Sequence, residues 1–251
     1  MKKDSANVKR TRFRKYFWPA VALALSLLVL LAVILTTYKP GCYVPVHVAD
    51  ENRISTYLTH RLLPTIYNGA QRGEPFEVVI TQDGLNDIIA RLSQPMQLHS
   101  ITLSDPQVFL TPQQITLMAT ARATPLDLVL TIEVNPVINQ QGLLNLYINN
   151  ITLGAVDITT VGTLIGDNAY SSWMSSTGTE PNNIAARICR SLLHDEPFKP
   201  TFEIDGKRLY VSQIEIMTKK IIVLLTPVPD QPAQNPAASQ TPAEPRPVYP
   251  Y

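Results

Sequence analysis

The side chains that could do chemistry in this sequence are few and widely scattered. The four histidines are far apart along the chain and form no HExxH pattern; they are His47, His60, His99 and His194. A catalytic zinc site of that type requires two histidines on one helical face with a glutamate beside them. Isolated histidines like these are typical of surface or satisfied structural residues.

Two pairs of carboxylates have a spacing that could bring them together. Asp83 and Asp87 are one helical turn apart, and Glu203 and Asp205 alternate along a predicted strand. Carboxylates near the start of a capped helix complement its dipole while remaining solvated, and edge-strand carboxylates are commonly exposed. The sequence also contains no GxSxG elbow, phosphate-binding Gly-rich loop or dinucleotide fingerprint. It therefore predicts no enzyme, no catalytic residue and no cofactor.

The two cysteines, Cys42 and Cys189, are too few for a disulfide scaffold and do not form a CxxC zinc motif. Cys42 follows an apolar run and Cys189 lies in a predicted helix far along the chain, which favours two free or intermolecular thiols over one disulfide. Asn150-Ile151-Thr152 fits the glycosylation sequon, which matters only in a source that glycosylates secreted proteins. No metal site is predicted.

The remaining elements are organised around one apolar run, Phe17 to Leu35, which contains no charged residue. Nineteen helical residues at about 1.5 Å each span roughly 28 Å, close to the ~30 Å hydrocarbon core of a bilayer. The preceding residues contain seven Lys or Arg and one Asp, a net charge of +6. Basic residues beside a span stay on the cytoplasmic side. The sequence predicts a single-pass signal-anchor in the cell membrane, with the N-terminus cytoplasmic and the rest extracytoplasmic.

Two other interpretations of the apolar run remain open. A cleaved signal peptide has a shorter apolar region followed by a small-x-small site, whereas this run continues into Thr36, Thr37, Tyr38, Lys39 and Pro40. Gly41-Cys42 resembles a lipoprotein site, but Lys39 and Pro40 stand where such sites have apolar or small residues. An uncleaved anchor is the favoured interpretation.

The chain beyond the anchor carries a net charge of −5, since the whole chain is +1 and its first sixteen residues are +6. Nucleic-acid binding requires a basic face, so no nucleic-acid partner is predicted. The chain divides into a basic cytoplasmic segment (1–16), a transmembrane helix (17–38), a linker (39–49), an extracytoplasmic domain (50–228) and a tail (229–251). The tail has seven prolines in 23 residues, which predicts extended, disordered chain that could reach an envelope protein partner.

The domain begins with helical patterns. A stripe of apolar residues after Asp50 predicts a helix that ends near Pro64 and Gly69. Phe76 to Ile80 predicts a strand, and Thr81 is a candidate N-cap for the helix that follows. That helix carries its apolar residues at i, i+3, i+4 and i+7; they are Leu85, Ile88, Ile89 and Leu92.

After Pro95 the hydrophobic period changes to two, which predicts strands joined by short turns in an antiparallel meander. Breaks are expected at Asp105-Pro106 and Thr111-Pro112, and a bulge near Asn149-Asn150. The longest alternation places Leu128, Leu130 and Ile132 on one face of a strand. Residues 166–180 predict a loop from their Gly, Ser, Asn and Thr content.

The last part of the domain predicts one helix and a few strands. A helix is expected from Asn182 to Leu193, because apolar residues line one side of it. Strands around residues 202–204, 209–211 and 221–225 should follow, with a hairpin turn at Asp205-Gly206. The predicted fold class is α+β: an N-terminal transmembrane helix followed by an antiparallel, curved β-sheet packed on amphipathic helices.

Two short segments carry a resemblance to a known group of proteins: VVITQDGLNDIIARL at 78–92 and NLYINNITLGAVDI at 145–158. With the basic N-terminus and single span, they resemble bacterial single-pass membrane-anchored proteins of unknown function whose domain is similar to the tubular lipid-binding (TULIP-like) superfamily. The matching positions are Leu85-Asn86 and Leu153-Gly154, and the resemblance covers roughly residues 76–226. It implies a curved antiparallel sheet that wraps a long helix around an apolar groove, and it brings no catalytic residues.

Two classes of function follow. The first is a membrane-anchored module that binds membrane lipid or another hydrophobic ligand in a groove between helix and sheet. The candidate groove residues are Leu85, Ile88, Ile89, Leu92, Leu128, Leu130 and Ile132. The second class is a structural or interaction protein of the cell envelope, with a filled core and no ligand. A groove-lining leucine and a core leucine look the same in a sequence, so both hypotheses stand at this point.

Overall fold

A computed structural model describes residues 5–45, 54–92, 95–98, 101–123, 126–177 and 183–228. The N-terminal helix α1 (Ser5–Thr36) contains the apolar run, and its segment Phe17–Thr36 is long and apolar enough to cross a membrane. None of that segment is buried against the rest of the chain. Ser26 donates its hydroxyl to the Leu23 carbonyl, so this polar side chain is satisfied within the helix. The predicted tail, 229–251, lies outside the described residues.

The fold class is α+β, but the strands form two antiparallel sheets rather than the one that the pattern predicted. Sheet A has the order β1-β10-β9-β8. Its strands are β1 (Phe76–Thr81), β8 (Thr201–Ile204), β9 (Lys207–Met217) and β10 (Lys220–Pro227). The first strand of the domain pairs with the last, and this long-range pairing leaves no mark in the local hydrophobic pattern.

Sheet B is the predicted meander, with its six strands in sequential order. They are β2 (Met96–Leu98), β3 (Ile101–Thr111), β4 (Gln114–Ala123), β5 (Leu126–Ile138), β6 (Leu144–Leu153) and β7 (Val156–Asp157). Two turns occur at the residues where the sequence predicted them. Gln113 adopts a φ of +66° after Pro112, and Asp205 and Gly206 in sheet A adopt φ values of +50° and +72°. Two consecutive positive φ values are those of a type I′ hairpin turn.

Two bulges adjust the strands of sheet B. The predicted bulge is confirmed, because Glu133 faces Asn150 while Val134 faces Ile148, so Asn149 is the extra residue. The break expected at Asp105-Pro106 is instead a bulge inside a continuous β3, where Asp105 has a φ of +53°. A bulge tolerates a proline, because the missing N–H of the proline removes one donor from the ladder without ending the strand.

The helix before β1 continues further toward β1 than predicted, while residues 54–55, within the predicted span, are not helical. A π-helical turn (Leu58–Leu62) leads into α2 (Leu63–Arg72), which ends at Gly73 with a φ of +72°. Pro64 does not end the helix, and it stands directly after the π-helical turn at the start of α2. Gly69 does not end it either, because the glycine gives room to the Phe76 ring, which a Cβ would overlap. Asp50, the predicted start, lies outside the described residues.

The two later helices differ in how well they were predicted. Helix α5 (Ile184–His194) confirms the expectation, with Asn183 as its N-cap accepting from the Ala185 N–H. The predicted loop at 166–180 is wrong over its described part, because helix α4 (Thr159–Thr177) runs through it. Gly162 and Gly166 allow α4 to approach Ile151 and Leu193 closely. Packing against β6 and α5 therefore overrides the low helix propensity of the segment.

The two sheets are joined at their hairpin tips. The Gln113 N–H donates to the Ile216 carbonyl at 3.0 Å, and the Lys219 N–H donates to the Leu110 carbonyl at 3.3 Å. Helix α3 (Gln82–Leu92) starts at this junction, since the Gln82 N–H donates to the Lys219 carbonyl. Thr81 is its N-cap as predicted, accepting from the Gly84 N–H at 3.2 Å. Helix α3 is thereby positioned between sheet A and the edge of sheet B.

Candidate functional site

One face of sheet B is apolar across four strands. Residues that face each other in an antiparallel ladder lie on the same side of the sheet. The register pairs Leu117 with Ile132, Ala119 with Leu130 and Ala121 with Leu128, and it continues from β5 to β6. We define the apolar face by these residues: Leu103, Leu117, Ala119, Ala121, Leu126, Leu128, Leu130, Ile132, Ile151 and Leu153.

At the end of sheet B nearest sheet A, the same side of the sheet is filled by core. Val108 and Leu110 of β3 are buried together with Ile216 and Ile221 of sheet A. Leu85 and Ile89 of α3 pack against that cluster. This end therefore resembles an ordinary hydrophobic core, in which the helix covers the sheet.

Outside that cluster the apolar face is partly open, although its members Ala121 and Ile151 are buried. Leu117 retains 38% of its surface and Leu126 41%. Leu128, Leu130 and Ile132 are each half-buried, although they form the longest apolar alternation of the chain. Helix α3 packs along β3 and helix α5 along β6, so the main helical cover lies on either side of β4 and β5. Half-exposed aliphatic side chains on a sheet surface form a site that a hydrocarbon chain can contact.

The structure does not bring the predicted groove residues whose side chains it describes into one contact. Leu85 and Ile89 lie in the filled cluster, and Ile88 is half-buried on α3. The side chain of Leu92 lies outside the part of the chain that is described. The three β5 residues are two strands away from β3, about 10 Å at a strand spacing of about 4.8 Å. The groove formed by α3 and β5 residues therefore stays a prediction.

The open end of the apolar face lies beside the end of α1. The Ala155 N–H, in the turn between β6 and β7, donates to the Leu35 carbonyl at 2.8 Å. Gly154 in the same turn has a φ of +61°, and a Cβ there would overlap the Thr36 carbonyl oxygen. The connection between β4 and β5 is at this same end of the sheet, because the strands are antiparallel neighbours. Leu126 and Leu128 therefore lie at the end of the sheet to which the apolar helix is attached.

The chain that follows α1 packs on the β3 and β4 part of the opposite face of sheet B. The Tyr43 hydroxyl donates to the Asp105 carbonyl and lies 2.8 Å from the Thr120 hydroxyl. Burial raises the pKa of Tyr43. The Gln107 side chain accepts from the Val44 N–H and donates to the Cys42 carbonyl. These contacts hold the segment from 42 to 44 against the sheet, on the face away from the apolar one.

Asn86 performs a structural task that its sequence position did not indicate. Its amide donates to the Val108 carbonyl at 3.0 Å and accepts from the Val108 N–H at 2.7 Å. Gln82, one turn earlier, accepts from the Leu110 N–H at 2.8 Å. β2 pairs with β3 only from Ile101 to Leu103, so the rest of β3 presents an edge. The two amides satisfy that edge as a neighbouring strand would.

The titratable candidates do not converge. Asp87 accepts from the Ser55 hydroxyl and from Arg91, and the Ser55 bond holds the pKa of that carboxyl below its usual range. Glu203 and Asp205 are exposed on edge strand β8 and its turn, as expected. His60 lies beside Thr59 and His194 lies 3.7 Å from Asp167. His47 and His99 lie outside the described residues.

Neither the cysteines nor any metal-binding cluster adds a site within the described residues. Cys42 and Cys189 are both free thiols, and burial raises the pKa of Cys189. No group of three or more His, Cys, Asp or Glu side chains there could hold a metal ion. A cleft of about 680 Å³ lies between the β3–β4 turn, the end of β5 and β9, and it is lined by both polar and apolar groups. It lies at the end of sheet B away from α1.

The fold and the site define a class of protein: an α+β domain of two antiparallel sheets behind an N-terminal apolar helix that is a candidate membrane span or signal anchor. No family model, no curated protein and no solved structure matches this chain. The features that bear on function are therefore the geometry of sheet B and its attachment to α1.

Proposed function

We propose that the protein is a membrane-anchored, extracytoplasmic module that binds the hydrocarbon part of a membrane lipid on the open end of the apolar face. Helix α1 is the anchor in the cell membrane, with the basic segment on the cytoplasmic side. The observation that carries the proposal is the position of two apolar residues, Leu126, which is 41% exposed, and the half-buried Leu128, at the end of sheet B attached to α1.

The chemistry of that surface suits an acyl chain rather than a polar ligand. The apolar face is built from aliphatic side chains, and it carries no charged residue among the members that define it. Covering each square ångström of apolar surface contributes about 25 cal/mol. A linear hydrocarbon lying along β4 and β5 would cover several of these side chains at once. A lipid leaving the bilayer beside α1 would also meet this end of the sheet first.

An envelope structural or interaction protein is the second candidate function. It is favoured by the filled cluster around Val108 and Leu110, against which the α3 residues Leu85 and Ile89 pack. In this interpretation the apolar face is the rim of an ordinary core, and the Pro-rich tail contacts an envelope partner. The two functions differ in whether lipid occupies β4 and β5.

Photochemical labelling of the full chain in vesicles tests the proposal. The vesicles contain phosphatidylcholine with a diazirine on one acyl chain, and labelled peptides are mapped by mass spectrometry. We expect labelling of β4 and β5 that saturates as the mole fraction of tagged lipid rises. Labelling by bulk lipid, such as that expected on α1, should rise linearly. Labelling of β4 and β5 that is absent or linear would contradict the lipid-binding function and favour the second candidate.

Matched arginine variants sharpen this experiment. Leu117→Arg and Leu126→Arg place a charge on the apolar face, whereas Tyr147→Arg places it on the other face of the same sheet, where Tyr147 is 42% exposed. An arginine facing an acyl chain must lose hydration without a partner. We expect labelling of β4 and β5 to fall about tenfold or more in the first two variants, since about 1.4 kcal/mol suffices for that factor. The Tyr147→Arg chain should label like the wild type, and thermal melting should show that all three remain folded.

A further inference from the structure

Helix α4 presents an apolar stripe to its surroundings in its first two turns. Val161, Leu164 and Ile165 are 56%, 63% and 52% exposed. Residues at i, i+3 and i+4 share one side of a helix, so the three side chains form one continuous patch. Isolated exposed aliphatic residues are normal on a protein surface, whereas three in a row on one helix face indicate a partner.

The same side of α4 becomes polar in the following turns. Its exposed residues there carry amide or hydroxyl groups; they are Asn168, Ser171, Ser172 and Ser175. The outward side therefore changes from aliphatic to polar about halfway along a 19-residue helix. A helix that contacted an apolar partner along its whole length would carry apolar side chains along its whole length.

The opposite side of α4 is already used for packing. Gly162 lies against Ile151 of β6, and Gly166 lies against Leu193 of α5. The start of the helix is fixed as well, because Asp157 accepts from both the N–H and the hydroxyl of Thr159. The apolar stripe thus points away from the domain in a defined direction.

The apolar half of α4 is close to the end of α1. The Ala155 N–H is bonded to the Leu35 carbonyl, and α4 begins four residues later at Thr159. At a maximum of about 3.6 Å per residue, the start of α4 is within roughly 15 Å of the last turn of α1. The interfacial layer on each side of the hydrocarbon core is about 5–8 Å thick. The first turns of α4 are therefore within reach of the surface of any bilayer that α1 crosses.

We propose that the first two turns of α4 rest in the interface of that same bilayer, with Val161, Leu164 and Ile165 in contact with lipid acyl chains. The polar second half then leads away from the membrane. A second copy of the chain fits the stripe less well, since three side chains present far less than the roughly 800 Å² per partner of a stable interface. The inference rests on the proposed anchoring by α1, but it does not depend on the lipid site on sheet B.

Fluorescence quenching in vesicles tests this contact. The full chain, with Cys42→Ser and Cys189→Ala, receives one new cysteine at Ser26, Leu164 or Ser172, labelled with the fluorophore NBD. Each labelled chain is reconstituted in phosphatidylcholine–phosphatidylglycerol vesicles with and without doxyl-bearing lipid. Ser26 reports on insertion of α1, and Ser172 is the control on the polar half of the same helix side. Thermal melting of the background variant must match that of the wild type.

We expect doxyl lipid to reduce fluorescence at Ser26 and Leu164 and to leave Ser172 unchanged. Quenching at Ser26 without quenching at Leu164 would overturn the α4 contact and leave the anchor intact. An absence of quenching at Ser26 would overturn the anchor and the contact together. A Leu164 signal that follows the protein-to-lipid ratio rather than the doxyl lipid would assign the stripe to a second copy and overturn the proposal.

Discussion

Replacing Asn86 by alanine should strongly destabilise the domain, although Asn86 is not part of the hydrophobic pattern of its helix. The side chain is 5% exposed and makes two hydrogen bonds to the backbone of Val108. Without it, the Val108 N–H and C=O remain buried at the edge of β3 with no partner from α3. Each unsatisfied buried group costs about 1–3 kcal/mol, so we expect Asn86→Ala to lower the free energy of unfolding by about 2–6 kcal/mol.

Gln82→Ala provides the graded comparison, because Gln82 satisfies one backbone group, the Leu110 N–H. Its cost should be about half as large, roughly 1–3 kcal/mol. Asn149→Ala is the chemical control, since Asn149 is exposed at the bulge of β6 and its loss should change stability by less than about 0.5 kcal/mol. Urea unfolding of the full chain in mild detergent, followed by circular dichroism, measures all three. If Asn86→Ala were as mild as Asn149→Ala, the assignment of the amide as a substitute strand partner would be wrong.

Two further predictions concern α2 and α3. Gly69→Ala should cost about 1–3 kcal/mol, because the new methyl group would overlap the Phe76 ring; a melting temperature equal to that of wild type would show that the ring can move aside. The hydrogen bond from the Ser55 hydroxyl is the main cause that lowers the pKa of Asp87, and Arg91 makes a smaller contribution. The charged form of Asp87 therefore stabilises the fold above the usual Asp pKa of about 3.9. That stability is lost as the pH falls through the lower pKa of the folded state. Asp87→Asn should therefore be less stable than wild type at pH 7, and the difference should shrink below about pH 4; a gap in urea midpoint that is constant with pH would argue against this coupling.

The strands of this fold could be predicted largely from local pattern. The alternation from Leu126 to Val134 and the Asp205-Gly206 turn are local signals that match the period and backbone geometry they require. The bulge at Asn149 was visible as a change of phase. The division of the strands into two sheets could not be predicted from local pattern, because the pairing of β1 with β10 joins residues about 140 positions apart.

The helix α4 and the role of Asn86 depend on tertiary contacts. Gly162 and Gly166 lower helix propensity locally, yet in the fold they permit close packing against Ile151 and Leu193. The sequence also marked Asn86 as part of a helix start, and nothing in its neighbours specifies that β3 will present an open edge there. Of the candidate site, Leu128, Leu130 and Ile132 could be found from alternation, whereas the exposure of Leu117 and Leu126 depends on which strands the helices cover.

The hydrogen bonds between the end of α1 and sheet B also have a mechanical meaning. A flexible linker of nine residues, from 37 to 45, would have an end-to-end distance of about 17 Å, and the domain could move over that distance relative to α1. Here the Leu35 carbonyl holds Ala155, and Gln107 and Tyr43 hold the chain between 42 and 44 to the sheet. Both ends of this connecting segment are therefore fixed to sheet B. A rotation of α1 about its own axis would therefore also turn the β6–β7 end of sheet B, instead of being absorbed by the connecting segment.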